Sequence, residues 1–119
     1  MPKLECTLEQ LKSGDYNWEE AFDIIKPVPA IFSGVSADPV AIEDVEEIVA
    51  SVEGENDGPD WVMVGRLKDG RWFAVAAGCD YTGWDCQAGG NSCVAGSLAV
   101  IIRLGLTDDE RQRLELEIQ

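Results

Sequence analysis

The sequence predicts an α+β domain: an antiparallel meander of three or four strands packed by three to four helices. Three observations carry this. Two apolar runs flank Lys68-Asp69-Gly70-Arg71, and Asp-Gly between such runs is a strong hairpin signal. Capping residues stand ahead of helix-forming stretches at Asn17, Ser97 and Thr107. The chain has 119 residues, 45% of them hydrophobic, which suits one domain with its own core. That domain is expected to span residues 1–119, with a helical part over 1–37 and a helix, the meander and the last helices over 38–119.

Each element follows from local chemistry. Thr7-Leu8-Glu9-Gln10-Leu11 can make about one helical turn before Gly14. Asn17 and Glu20 form a capping box for a helix reaching about Lys26, with Trp18, Ala21, Phe22 and Ile25 at helical spacing. Pro27 and Pro29 end it, and residues 31–39 read as a linker or a short edge strand. Ile42, Val45, Ile48, Val49 and Val52 then fall on one face of a helical wheel, with Glu43, Asp44, Glu46, Glu47 and Glu53 opposite, so a central helix is expected up to Gly54.

The strands come next. A two-residue turn at Asp69-Gly70 pairs Leu67 with Trp72, Met63 with Ala76 and Val62 with Ala77. Leu67, Trp72, Met63 and Ala76 then share one face, and Val62, Val64, Phe73, Val75, Ala77 and Cys79 the other. Both faces are apolar, so both should be covered. A third strand is expected within residues 85–94, after a loop over 81–84. Ser97 caps a helix over 98–104 closed by Gly105, and Thr107 with Glu110 makes a capping box for the last one.

Composition limits function. With 23 acidic against 9 basic side chains the net charge is −14, which disfavours direct binding to nucleic acid or to anionic membrane. There is no histidine, so histidine-dependent triads and histidine-ligated zinc are excluded. No cofactor is implied and the reading is non-enzymatic. No apolar stretch resembles a signal peptide or membrane span, so a cytoplasmic location is expected.

The stretch from Gly78 to Gln87 is the least ordinary. A four-residue loop would set Asp80 opposite Asp85 and Cys79 opposite Cys86. The cysteines could bridge, or stand as small buried hydrophobes in a reducing compartment, the reading preferred. Cys6 and Cys93 read as core residues. Cys79, Cys86 and Cys93 are spaced too widely for a zinc knuckle. The two aspartates could hold the loop's own amides, a hard cation, or a reacting bond, and the loop-stabilising role fits best. Trp84 is either an exposed contact or a lid over the core, and a lid is expected. The runner-up function is thus a small metal- or ligand-binding domain centred on Asp80, Asp85, Cys79 and Cys86, or a domain of purely structural role.

Three motifs, Arg66-Leu67-Lys68-Asp69-Gly70-Arg71, the run from Gly78 to Gln87, and Ile102-Arg103-Leu104-Gly105-Leu106-Thr107-Asp108, resemble a group of small uncharacterised proteins from phages and bacteria. The resemblance covers about residues 42–113. It implies a mobile-element setting and brings no activity with it.

Charge is the remaining signal. No lysine or arginine occurs between Pro27 and Gly65, while Glu43, Asp44, Glu46, Glu47, Glu53, Glu55, Asp57 and Asp60 all lie there. Such acids can simply solubilise a small protein. Placed on one helix and the loop after it, they would also form a ridge able to compete with DNA for a basic channel. The leading expectation is therefore a binding protein whose partner is a basic surface, as in DNA-mimicking inhibitors of host defence complexes and anti-CRISPR proteins. That comparison is by analogy. Self-association is left open.

Overall fold

The computed structural model describes residues 2–27, 35–36, 38–81, 83–84 and 88–118. Among these residues, four helices and a mixed sheet of six strands make an α+β fold, with more strands than the meander expected. The helices are α1 (Leu8–Lys12), α2 (Tyr16–Ile24), α3 (Leu98–Leu104) and α4 (Asp108–Leu114). The strands are β1 (Ile25–Pro27), β2 (Val35–Ser36), β3 (Val45–Val52), β4 (Trp61–Leu67), β5 (Trp72–Gly78) and β6 (Gly89–Ala95). They lie in the order β1-β6-β5-β4-β3, and β2 also pairs with β6. β1 is parallel to β6 and β2 antiparallel, so the nominally helical first third supplies two short strands to that side.

The central helix is replaced by a 3₁₀ turn (Ile42–Asp44) and β3. The reason lies in two register shifts against β4, one between Val45 and Glu47 and one between Ile48 and Ala50. Each inserts a residue into a two-residue period. Val45, Ile48 and Ser51 therefore face the same side, opposite Leu67, Gly65 and Met63. A doubly bulged strand thus imitates the three-residue spacing of a helix. Its β-branched residues favour the pleated form.

The hairpin is also one residue different. Leu67 N donates to Arg71 O at 2.7 Å and Gly70 N to Leu67 O at 2.9 Å, and Gly70 has φ +93° while Asp69 does not adopt positive φ. This is a three-residue loop closed by a left-handed glycine, not a two-residue turn needing positive φ at both positions. Met63 consequently faces Val75 and Val62 faces Ala76. The slip regroups the faces. Trp61, Met63, Leu67, Phe73, Val75 and Ala77 pack with Cys6, Leu11, Trp18 and Phe22 from the α1–α2 side. Val62, Val64, Ala74 and Ala76 pack with Ile101, Leu106 and Leu114 from the α3–α4 side. Both sheet faces are covered, as their apolar character requires.

The caps are simple to trace. Asp15, not Asn17, caps α2, its carboxylate accepting from Trp18 N at 3.1 Å. Ser97 caps α3 before Gly105, and Thr107 with Glu110 closes a full capping box on α4. No helix among the described residues is long and apolar enough to cross a membrane.

Candidate functional site

The eight acidic residues expected on one face separate to the two ends of β3. Eight residues of strand span roughly 25 Å. At one end Glu43 and Asp44 occupy the 3₁₀ turn, with Glu46 and Glu47 on the first part of β3. Cations are gathered there. Lys12 Nζ donates to Ile42 O at 2.7 Å, and Lys68 is held alongside by its backbone amide, which donates to Asp44 O at 2.9 Å. Arg66 pairs with Glu47 at 3.4 Å, and Arg71 bridges Asp38 at 2.5 Å and Asp69 at 2.9 Å. Asp69 is held below the usual carboxylate range, chiefly by the hydrogen bond from the Arg71 amide. A continuous acidic ridge along a central helix does not exist.

The other end is different. Glu53, Glu55, Asp57 and Asp60 belong to the β3–β4 connection, which folds back on itself through Glu55 N to Pro59 O at 2.9 Å and Gly58 N to Glu55 O at 3.1 Å. Asp57 takes a left-handed φ of 56° and its N donates to Cys79 O at 2.8 Å, which docks this loop on the β5–β6 connection. Gly78 permits the approach, since a Cβ there would lie 2.1 Å from Asp60 Oδ1. Asp57, Asp60 and Asp80 thereby line one shallow concavity with Gly58, Gly78, Cys79 and Gly89.

Two further acids arrive from distant sequence. Glu5 Oε1 accepts from Glu53 N at 2.7 Å, and Asp15 stands close enough to act electrostatically on Glu53. Burial, with Asp15 and Glu5 adding to it, pushes the Glu53 carboxyl above its ordinary value. Sequence reasoning did not place Glu5 in the group, because only the parallel bridge of Leu4 to Ser51 brings it there. Arg113 of α4 reaches the same end, but its guanidinium donates to the carbonyls of Asp60 (2.8 Å) and Glu53 (3.4 Å).

The glycine-tryptophan loop is partly described. Asp85 and Cys86 lie outside the described residues, and with them the expected pairing of Asp80 with Asp85 and of Cys79 with Cys86. Asp80 forms an isolated bridge with Gly83, whose N donates to Asp80 O at 3.0 Å. Cys79 is a buried free thiol whose Sγ lies 3.3 Å from Asn56 Oδ1. Burial, then Asp80 and Asp60, push its pKa up. Cys6 and Cys93 are buried free thiols in the two cores. Among the described residues no three Cys, Asp or Glu side chains are placed to hold a metal ion. Trp84 is a lid, 7% exposed, its ring 4.9 Å from that of Trp61 and its Nε1 donating to Asn17 Oδ1 at 3.1 Å.

No family model matches the chain, and no curated protein or solved structure is significantly similar to it.

Proposed function

We propose that the protein is an acidic, non-enzymatic binding protein that presents the loop end of its sheet to a basic surface on a partner, of the kind that otherwise holds nucleic acid. The supporting observation is the division of charge. Glu53, Glu55, Asp57 and Asp60 meet Glu5, Asp15 and Asp80 at one end, where Arg113 bonds only backbone carbonyls, while at the other Glu43, Asp44, Glu46 and Glu47 stand among Lys12, Arg66, Lys68 and Arg71. A molecule so polarised is steered to a cationic surface in a fixed orientation. An inhibitor that competes for the nucleic-acid channel of a host defence complex is the concrete form. The mobile-element setting rests on the resemblance of the hairpin and tryptophan-loop motifs.

The test is affinity capture from bacterial lysate at low salt, followed by release at high salt and by competition with duplex DNA. Glu55→Lys with Asp57→Asn and Asp60→Asn removes charge at the loop end while leaving Asp57 a side chain that tolerates the left-handed backbone. Glu43→Lys with Glu46→Lys alters the opposite end. The first variant should lose a partner that salt and DNA both displace, and the second should keep it. A partner retained by the first variant, or none that DNA displaces, sinks the reading.

A further inference from the structure

Helix α3, Leu98-Ala99-Val100-Ile101-Ile102-Arg103-Leu104, has a single polar residue, Arg103. A helix so apolar is ordinarily buried on all sides. Here only Ile101 is fully buried, while Leu98, Val100, Ile102 and Leu104 are covered in part and Ala99 and Arg103 are exposed. The C-terminal tail runs beside this helix. Leu116 sinks into the α3–α4 core, and Arg111 of α4 donates to Ile102 O at 2.9 Å and to Leu106 O at 2.8 Å, which ties α4 and the tail to α3.

Between helix and tail lies an apolar groove of about 270 Å³, lined by Leu98, Ala99, Ile102 and Glu117. Next along the tail, Ile118 is 51% exposed, one of four large hydrophobic residues left outside among the described residues. Within one chain Ile118 does not line the groove. Knob and hole thus stand side by side on one face, unfilled by each other.

Charge selects what covers this face. Each copy carries a net −14, and such copies repel wherever carboxylates meet. From Cys86 to Thr107, however, the sequence has no aspartate or glutamate, in a chain with 23 acidic residues. α3 lies within that interval. The patch holds one charge of each sign, Arg103 on the helix and Glu117 at the groove. A knob beside its own hole, on a charge-balanced face, is self-complementary, as a two-fold contact requires.

We propose that this face joins two copies of the chain, with Ile118 of each entering the Leu98, Ala99 and Ile102 groove of the other. A helix of seven residues is about 10 Å long, so the contact is small and the dimer weak, with a dissociation constant on the order of 100 µM. The contact does not rest on the basic partner proposed above.

Sedimentation equilibrium of the intact chain tests it, from about 10 µM to about 1 mM, in about 0.05 M and about 1 M NaCl. The mean mass should climb with concentration from 13.0 kDa toward twice that value. High salt should tighten the dimer several-fold, because it screens the repulsion between copies and leaves the apolar contact intact. The contact with a basic partner has the opposite salt dependence, so the two are read separately. Ile118→Ser and Ala99→Glu, both at exposed positions, should each weaken the dimer by about tenfold or more without lowering the melting temperature of the monomer. Ile118→Leu, which keeps the apolar bulk, should retain it. A chain that stays monomeric at the highest concentration in both salts overturns the proposal and leaves the groove to another occupant. Self-association that Ile118→Ser and Ala99→Glu both leave unchanged overturns it as well.

Discussion

The ring of Trp84 lies 4.9 Å from the ring of Trp61, and the pair joins the β5–β6 loop to the first residue of β4. The Nε1 of Trp84 continues the chain of contacts to Asn17 on α2. Loop, sheet and helix are thus held together at the end where the carboxylates gather. Trp84→Ala should destabilise the protein by about 3–5 kcal/mol in urea unfolding, as loss of a buried aromatic does. Asn17→Ala should cost about 1–3 kcal/mol, since it leaves an indole N–H buried without an acceptor.

Gly65 of β4 pairs with Ile48, between the two bulges of β3. A Cβ there would meet Glu47 O at 2.2 Å and Phe73 Cε1 at 2.8 Å. Neither backbone nor buried ring can move freely, so Gly65→Ala should destabilise by about 1–3 kcal/mol. Gly70→Ala at the hairpin meets no atom but must hold φ +93°, and should cost about 1–2 kcal/mol through backbone strain alone. Paired urea melts of the two variants compare crowding with strain.

Glu115 ends α4 in the left-handed conformation, φ 58°, where the next amide, Leu116 N, reaches back to Arg111 O at 2.9 Å. Glycine is the natural residue for this cap. Glu115→Gly should raise the melting temperature by a few degrees, the relief of about 1 kcal/mol being partly offset by a freer unfolded chain. A lower melting temperature would show that the exposed Glu115 side chain contributes a contact of its own.

Cys6 is pushed up to about 11 by burial, with Asp15 and Glu53 adding to it. Its ordinary value is 9.0, so the unfolded chain ionises first. Stability is therefore full below about pH 9 and falls as pH rises through the folded value, by roughly 2–3 kcal/mol for this group. Cys6→Ala should flatten that alkaline loss in urea melts recorded across the range. An unchanged slope would assign the loss to other groups.

Much of the fold is written locally, and the part that is not has a physical cause. Ser97, Gly105, Thr107 and Glu110 announce α3 and α4 because caps act within one turn. β4 and β5 announce themselves by apolar runs about a turn, while β6, which opens on Gly-Gly-Asn-Ser, is placed only within residues 85–94 by the loop before it. β1 and β2, of three and two residues, are too short to show a period and exist through pairing with β6. The Val45–Val52 strand was disguised by its bulges. The candidate site shares that limit. Glu53, Glu55, Asp57 and Asp60 stand out as an acidic run, but their union with Glu5, Asp15 and Asp80 depends on long-range hydrogen bonds and loop docking.

The two bulges of β3 also bear on what its outer edge can pair with. An outer strand with regular backbone is a template on which a neighbouring molecule can add a strand. Here the ladder is broken twice within eight residues, and Glu46 and Glu47 project from the broken stretch. A second sheet edge laid against it would find its hydrogen bonds out of step and its approach opposed by charge. The charges of Glu46 and Glu47 thus sit on a broken strand edge and not on the face of a helix.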